Sequence, residues 1–184
     1  MGNLTLNGST SGQITVSPTA VAGTNTITVA AQTGTLNVAG PAFSAYASAS
    51  QTITLNSVTK VQLDTEDFDT NNNFDPVTNY RFTPTVAGYY QLNGAVRGLA
   101  ATTFTGMSAY IYKNGSSFKR YTSVPASVSS NAVIYFSDLI YLNGSTDYIE
   151  LWGLVQGTGT ATFNSTGTSG GPNSYLSASL VRGA

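Results

Sequence analysis

From Pro41 to the C-terminus, apolar and polar residues alternate with a period of two, and turn-forming residues interrupt the alternation roughly every ten positions. A period of two sends successive side chains to opposite faces of an extended chain, so each run can bury its apolar face only against a second layer. That rhythm restricts the segment to a sandwich or barrel of short strands. Strands are expected near residues 42–48, 59–64, 79–83, 89–97, 108–113, 117–122, 132–142, 148–155 and 175–181. Asn114-Gly115 and Asn143-Gly144 are expected to form tight hairpin turns, because both residue types accept the positive φ that such turns require. No stretch shows a convincing helical period.

One run departs from strict alternation. Val133-Ile134-Tyr135-Phe136-Ser137-Asp138-Leu139-Ile140-Tyr141-Leu142 is apolar on nearly both faces, as in a strand covered on both sides. An opposing sheet can supply one cover, and a partner subunit is expected to supply the other. Elsewhere Tyr80 and Phe82, Tyr90 and Leu92, Tyr110 and Tyr112, and Tyr148 and Trp152 read mostly as core packing. About a third of the eleven tyrosines are assigned to an oligomer interface.

Ahead of Gly40-Pro41 the chain is nearly free of charge and aromatics. Short alternating runs at Leu4-Thr5-Leu6, Ile14-Thr15-Val16, Ile27-Thr28-Val29 and Leu36-Asn37-Val38 form two similar halves, 3–16 and 25–38, each turning at a glycine, Gly12 or Gly34. They suggest two hairpins or arms. A lone hairpin buries too little to be stable in water, so these strands need a neighbour. The chain therefore divides into an N-terminal β-arm, 1–40, suited to attachment, and a sandwich, 41–184.

Charged residues make up 8% of the chain and the net charge is -1, far from the quarter or so that is usual. Ser, Thr, Asn and Gln must cover the surface, so contacts made through it should respond weakly to salt. The seven cations, Lys60, Arg81, Arg97, Lys113, Lys119, Arg120 and Arg182, are scattered. They make no phosphate-binding stripe, and nucleic acid is not expected as a partner. Met1-Gly2-Asn3-Leu4-Thr5-Leu6 does not read as a signal peptide and no run is long enough to span a bilayer, so no membrane partner is expected.

The chain has no Cys and no His. It therefore lacks thiolate ligands and the commonest general base. Five of the eight acids, Asp64, Glu66, Asp67, Asp69 and Asp75, crowd together, and paired-carboxylate hydrolysis is weighed against a solubilising loop in favour of the loop. Asp69-Thr70-Asn71-Asn72-Asn73-Phe74-Asp75 partly copies the start of a calcium loop, but Phe74 replaces the sharp-turn glycine and Tyr80 replaces the bidentate Glu. No catalytic, cofactor-binding or metal residues are assigned, and no enzyme activity is expected.

Residues 69–92, DTNNNFDPVTNYRFTPTVAGYYQL, carry a more specific signal. An Asn-rich turn, Phe74-Asp75-Pro76, Phe82 in a short run, and Pro84-Thr85-Val86-Ala87-Gly88-Tyr89-Tyr90 follow one another. Ala42-Phe43-Ser44-Ala45 precedes them. Tyr112-Lys113-Asn114-Gly115, Leu142-Asn143-Gly144-Ser145-Thr146-Asp147 and Ser174-Tyr175-Leu176-Ser177-Ala178 come after. In this order the segments resemble the globular heads of the complement and tumour-necrosis-factor superfamily over about residues 41–182. Two residues separate Gly144 from Asp147 where the family is tighter, and the Gly/Thr/Ser-rich stretch Gly157–Gly171 is read as a local loop. The resemblance implies an all-β, ten-stranded jelly roll that assembles as a homotrimer.

Residues 1–40 resemble, in composition, the segments that precede such heads in proteins of tailed phages and prophages. The function expected from both resemblances is that of a bacteriophage structural protein. It would be a trimeric capsid decoration or cement protein, made in the host cytoplasm and placed on the outer surface of the virion. Residues 1–40 would hold the major capsid protein or another virion protein. The alternative is a tail or head fibre tip that touches a host surface polysaccharide through loops at Ala100–Thr105, Val124–Asn131 and Gly157–Gly171.

Overall fold

The computed structural model describes residues 4–7, 11–16, 40–123, 131–163 and 172–184. All regular structure among them is strand. Two compact units divide the chain, Met1–Gly34 and Thr35–Ala184. In the smaller, β1 (Leu4–Asn7) and β2 (Gln13–Val16) pair antiparallel, with Leu4 opposite Val16 and Asn7 opposite Gln13. Gly12 has φ +80° just before β2, a conformation that costs a residue without Cβ little. This is the first of the two expected hairpins. The second, 25–38, lies outside the described residues.

The larger unit contains two antiparallel sheets. One is built from β3 (Ala42–Tyr46), β4 (Gln51–Ile53), β6 (Thr65–Asp69), β9 (Gly88–Ala100), β12 (Asn131–Leu142), β14 (Ala161–Phe163) and β15 (Tyr175–Gly183). Its main run is β6-β3-β15-β9-β12, and β14 pairs the far end of β9 and carries β4. The other is built from β5 (Thr59–Lys60), β7 (Phe74–Asp75), β8 (Arg81–Phe82), β10 (Thr103–Lys113), β11 (Ser116–Ser123) and β13 (Ile149–Thr158). Its order is β11-β10-β13-β8-β7, with β5 also on β13.

Among the described residues this unit holds thirteen strands, several of only two or three residues, where ten were expected. β14 lies within the expected loop Gly157–Gly171, where Ala161 and Phe163 turn inward and Thr162 does not. Glycine and threonine around it obscure this short alternation. Residues 164–171 of that loop, and all of the expected loop 124–131 but Asn131, lie outside the described residues. The expected loop Ala100–Thr105 is the end of β9 and the start of β10 joined by two residues. The expected strand 79–83 shrinks to Arg81-Phe82, because Tyr80 has φ +49°, which breaks an extended run.

Asn114-Gly115 forms the expected tight turn, with φ +53° and +78°. Asn143-Gly144 does not make a two-residue hairpin. β12 and β13 are joined by residues 143–148, and the Asn143 side-chain oxygen caps the bend by accepting from the amides of Ser145, Thr146 and Asp147. Gly144 is required there: a Cβ would meet the Ala87 nitrogen at 2.2 Å, at φ +69°.

The core explains why the family-like segments occur in that order. Phe43 of the opening strand stacks on Phe74 at 4.8 Å and on Phe82 at 4.4 Å, and Phe82 meets Tyr90 edge-on at 5.6 Å. Four aromatics, one from each of the first four family-like elements, therefore make a single buried stack between the sheets. Tyr90 keeps its hydroxyl satisfied by donating to Val86 O at 2.6 Å, and burial pushes its pKa up to about 12. Leu92, Val96, Met107, Ile111, Ile140, Ile149 and Leu151 fill the rest of the interface between the layers.

Candidate functional site

Strand β12 divides its apolar residues as the sequence implies. Ile134, Phe136, Ile140 and Leu142 point into the core, whereas Tyr135, Leu139 and Tyr141 are exposed on the outer face of the sheet. The register with β9 and β15 shows what stands beside them. Tyr141 lies opposite Tyr89, which lies opposite Arg182, and the two rings approach to 5.5 Å. Further along come Leu139 opposite Gln91, Ser137 opposite Asn93, and Tyr135 opposite Ala95, which in turn faces Tyr175.

This outer face is thus apolar at both ends and polar in the middle. Tyr135 is 71% exposed, Val181 54% and Leu139 49%, unusual for large apolar groups gathered on one sheet face. Val181 reaches the surface because β15 shifts register between Leu180 and Arg182. A concavity of about 640 Å³ opens here, lined by Tyr89, Leu139, Tyr141, Val181, Arg182 and the last two residues. In the middle, the Gln91 amide donates to Ser137 Oγ at 2.8 Å and to Asp138 O at 3.0 Å, which fixes the polar strip.

The edge of β12 is firmly held. Asp138 accepts from the Tyr121 hydroxyl at 2.7 Å and pairs with Lys119 at 3.4 Å. Burial pushes the Asp138 carboxyl up, but the Tyr121 hydroxyl, the Leu139 amide and Lys119 outweigh it and leave the group below its ordinary value. Burial and Asp138 together push the Tyr121 phenol up. Asp147 ties the turns at the end of the sandwich, accepting from Asn114 at 2.7 Å and Lys113 at 2.9 Å.

The five crowded acids do not gather into one group. Asp64 accepts from the Ser48 amide and hydroxyl at 2.7 Å each, and Asp67 accepts from the Ser44 hydroxyl at 2.8 Å. Asp69 caps its own turn by accepting from the amides of Asn71 and Phe74. Asp75 accepts from the amides of Thr78 and Val77 and from Asn79, which lowers its pKa to about 2. Glu66 is pushed up by partial burial and by Asp69. Among the described residues, no three acidic side chains gather as a metal-binding group. The calcium-like spelling at Asp69–Asp75 is a backbone-capping turn that delivers Phe74 to the core.

Sequence reasoning placed Tyr110, Tyr112, Tyr148 and Trp152 mostly in the core. Tyr110 and Trp152 stand opposite each other on the outward face of the second sheet, and Tyr112 stacks on Trp152 at 4.6 Å. The core positions of those strands are taken by Ala109, Ile111, Ile149 and Leu151 instead. Where both faces of a strand are apolar, alternation does not say which is inside; the shorter aliphatic residues on the other parity were the available signal.

No protein-family model matches this sequence, and no curated protein sequence matches it. Solved structures do match the fold. A tumour-necrosis-factor domain of Eiger from S. frugiperda superposes with TM-score 0.55 at 8% identity, over 79% of this chain and 93% of its own. The globular domain of zebrafish complement 1qA superposes with TM-score 0.53 at 14% identity, over 78% and 99%. Murine APRIL gives TM-score 0.55 at 13% identity, over 78% and 100%. The larger unit therefore has the jelly-roll fold that the sequence resemblance implied.

Proposed function

We propose that the chain is a structural subunit that forms a homotrimer through the outer face of β15, β9 and β12, and that it decorates the outside of a bacteriophage capsid. The observation that carries the assembly is the open face bearing Tyr89, Tyr135, Leu139, Tyr141 and Val181. Water contact at so many large apolar groups is unfavourable by about 25 cal/mol per Å². Aromatics of this kind are enriched where subunits meet. Closing three copies on that face hides upwards of roughly 2,000 Å² in the assembly, the scale of a permanent interface.

The capsid assignment draws on the low charge, the satisfied acids and the arm-like segment 1–40, whose described part is a hairpin with the Leu6 side chain exposed. In this reading the arm pairs with the major capsid protein. Two measurements test it. Placing charge on the face, Tyr135→Asp with Leu139→Asp, should give a folded chain of monomer mass; retained trimer mass in that variant refutes the face. A chain lacking residues 1–40 should stay trimeric and fail to bind capsids, and undiminished capsid binding refutes the anchor. Hundreds of copies per particle support decoration, whereas a few trimers confined to a tail refute it in favour of a fibre.

A further inference from the structure

The outward face of the second sheet carries an arrangement that assembly does not use. Register places Arg120, Tyr110, Trp152 and Lys60 side by side on β11, β10, β13 and β5. A cation therefore closes each end of a row whose middle is aromatic. The Arg120 guanidinium stands 5.6 Å from the Tyr110 ring centre and Lys60 Nζ 5.4 Å from that of Trp152. In the next row Tyr112 stands opposite Glu150, which stands opposite Arg81.

Glu150 is 3% exposed, although it lies on the outward face. Its Oε1 accepts from Lys60 Nζ at 2.7 Å and lies 3.4 Å from Arg81 Nε, while its Oε2 accepts the Trp152 indole N–H at 3.1 Å. A buried carboxylate with two cations is weak as a source of stability, since well-packed apolar residues often do as well. What it does achieve is geometry: it fixes the indole and two cations in one orientation. Such preorganisation lowers the entropy lost when a ligand is bound.

Lys60 and Arg81 face this single carboxylate, and Arg120 in the neighbouring row adds a third cation against the two carboxylates Glu150 and Asp75. The patch is therefore positive on a chain whose net charge is -1. Arg120 is exposed and, among the described residues, donates only to the Ser108 hydroxyl, at 3.1 Å, with no carboxylate partner. Guanidinium groups bind carboxylates through paired hydrogen bonds.

We propose that this row is a binding platform for an acidic polysaccharide, a chain of carboxylate-bearing pyranoses. Arg120 holds a carboxylate, and the partly exposed edges of the stacked Trp152 and Tyr112 rings border the sugar chain. A nucleic acid would draw on more cations than this face presents. The platform lies on the sheet opposite the one assigned to assembly, so the two claims fail separately.

Trp152 is the only tryptophan, which makes its emission a reporter of this face. Titrating the full chain with polygalacturonate should change that emission to saturation, and neutral dextran should not. Arg120→Gln, at an exposed position, should keep the melting temperature and weaken polygalacturonate binding about tenfold, as loss of one charged hydrogen-bonded contact does. Trp152→Ala should abolish retardation of the chain in gels cast with polygalacturonate. No emission change with no gel retardation overturns the proposal, as does equal binding of dextran. Tighter binding of oligothymidylate than of polygalacturonate overturns it in favour of nucleic acid.

Discussion

Replacing Phe82 with alanine probes the core stack directly. Phe82 is fully buried, sits 4.4 Å from the Phe43 ring and meets Tyr90 at 5.6 Å. Phe→Ala in a packed core costs about 3–5 kcal/mol, and this site falls at the upper end because two ring contacts, each contributing about 0.5–1.5 kcal/mol, vanish together. Such a loss is a large share of the roughly 5–15 kcal/mol that holds a domain folded. In guanidinium titration at one protein concentration, the midpoint should fall by about 1 M, taking a slope of roughly 4–5 kcal/mol per M. Val77→Ala is the control, since Val77 is 77% exposed, and it should leave the midpoint within experimental scatter. If Phe82→Ala stays within about 1 kcal/mol of that control, the stack is not what joins the sheets.

Gly144→Ala should destabilise the fold by more than about 1 kcal/mol, because φ +69° and a backbone nitrogen 2.2 Å from the new Cβ leave it no room; melting within a degree of wild type would contradict this. Asp75, Asp138 and Asp147 have carboxyls held below their ordinary values in the folded chain. Their stabilisation is complete above the ordinary carboxylate range and fades as protons are taken up, so stability should be flat from about pH 7 to 5 and drop from about pH 4 toward 2. An unfolding midpoint that rises on acidification below pH 4 would contradict that direction. Chelator should leave the melting temperature unchanged, because Asp69 is already capped by the amides of Asn71 and Phe74; a rise of several degrees on adding calcium would reopen that turn as a metal site.

The sandwich was legible wherever one parity of a strand is apolar and the other polar. Ala42–Tyr46 and Gly88–Ala100 are such runs, and glycine turns bound several others. Legibility failed in two physical situations. Strands of two or three residues, such as Gln51–Ile53 and Ala161–Phe163, are too short for periodicity to register and form through pairing with β14 and β9. Strands β10 and β13 are apolar on both faces, so alternation alone does not decide that Ile111 and Leu151 go inward while Tyr110 and Trp152 go outward. The outer face of β12 was legible because its run of ten is apolar on both parities, and Tyr135, Leu139 and Tyr141 are the ones left exposed. Glu150 could not be singled out from the sequence, since its role depends on Lys60 and Arg81, far away along the chain and brought beside it by β5 and β8.

Sedimentation equilibrium of the full chain at micromolar concentration tests the central claim most directly. The aromatic face of β9, β12 and β15 predicts a species of three times the chain mass whose melting temperature rises with protein concentration. A heat-stable monomer whose melting does not depend on concentration would contradict it.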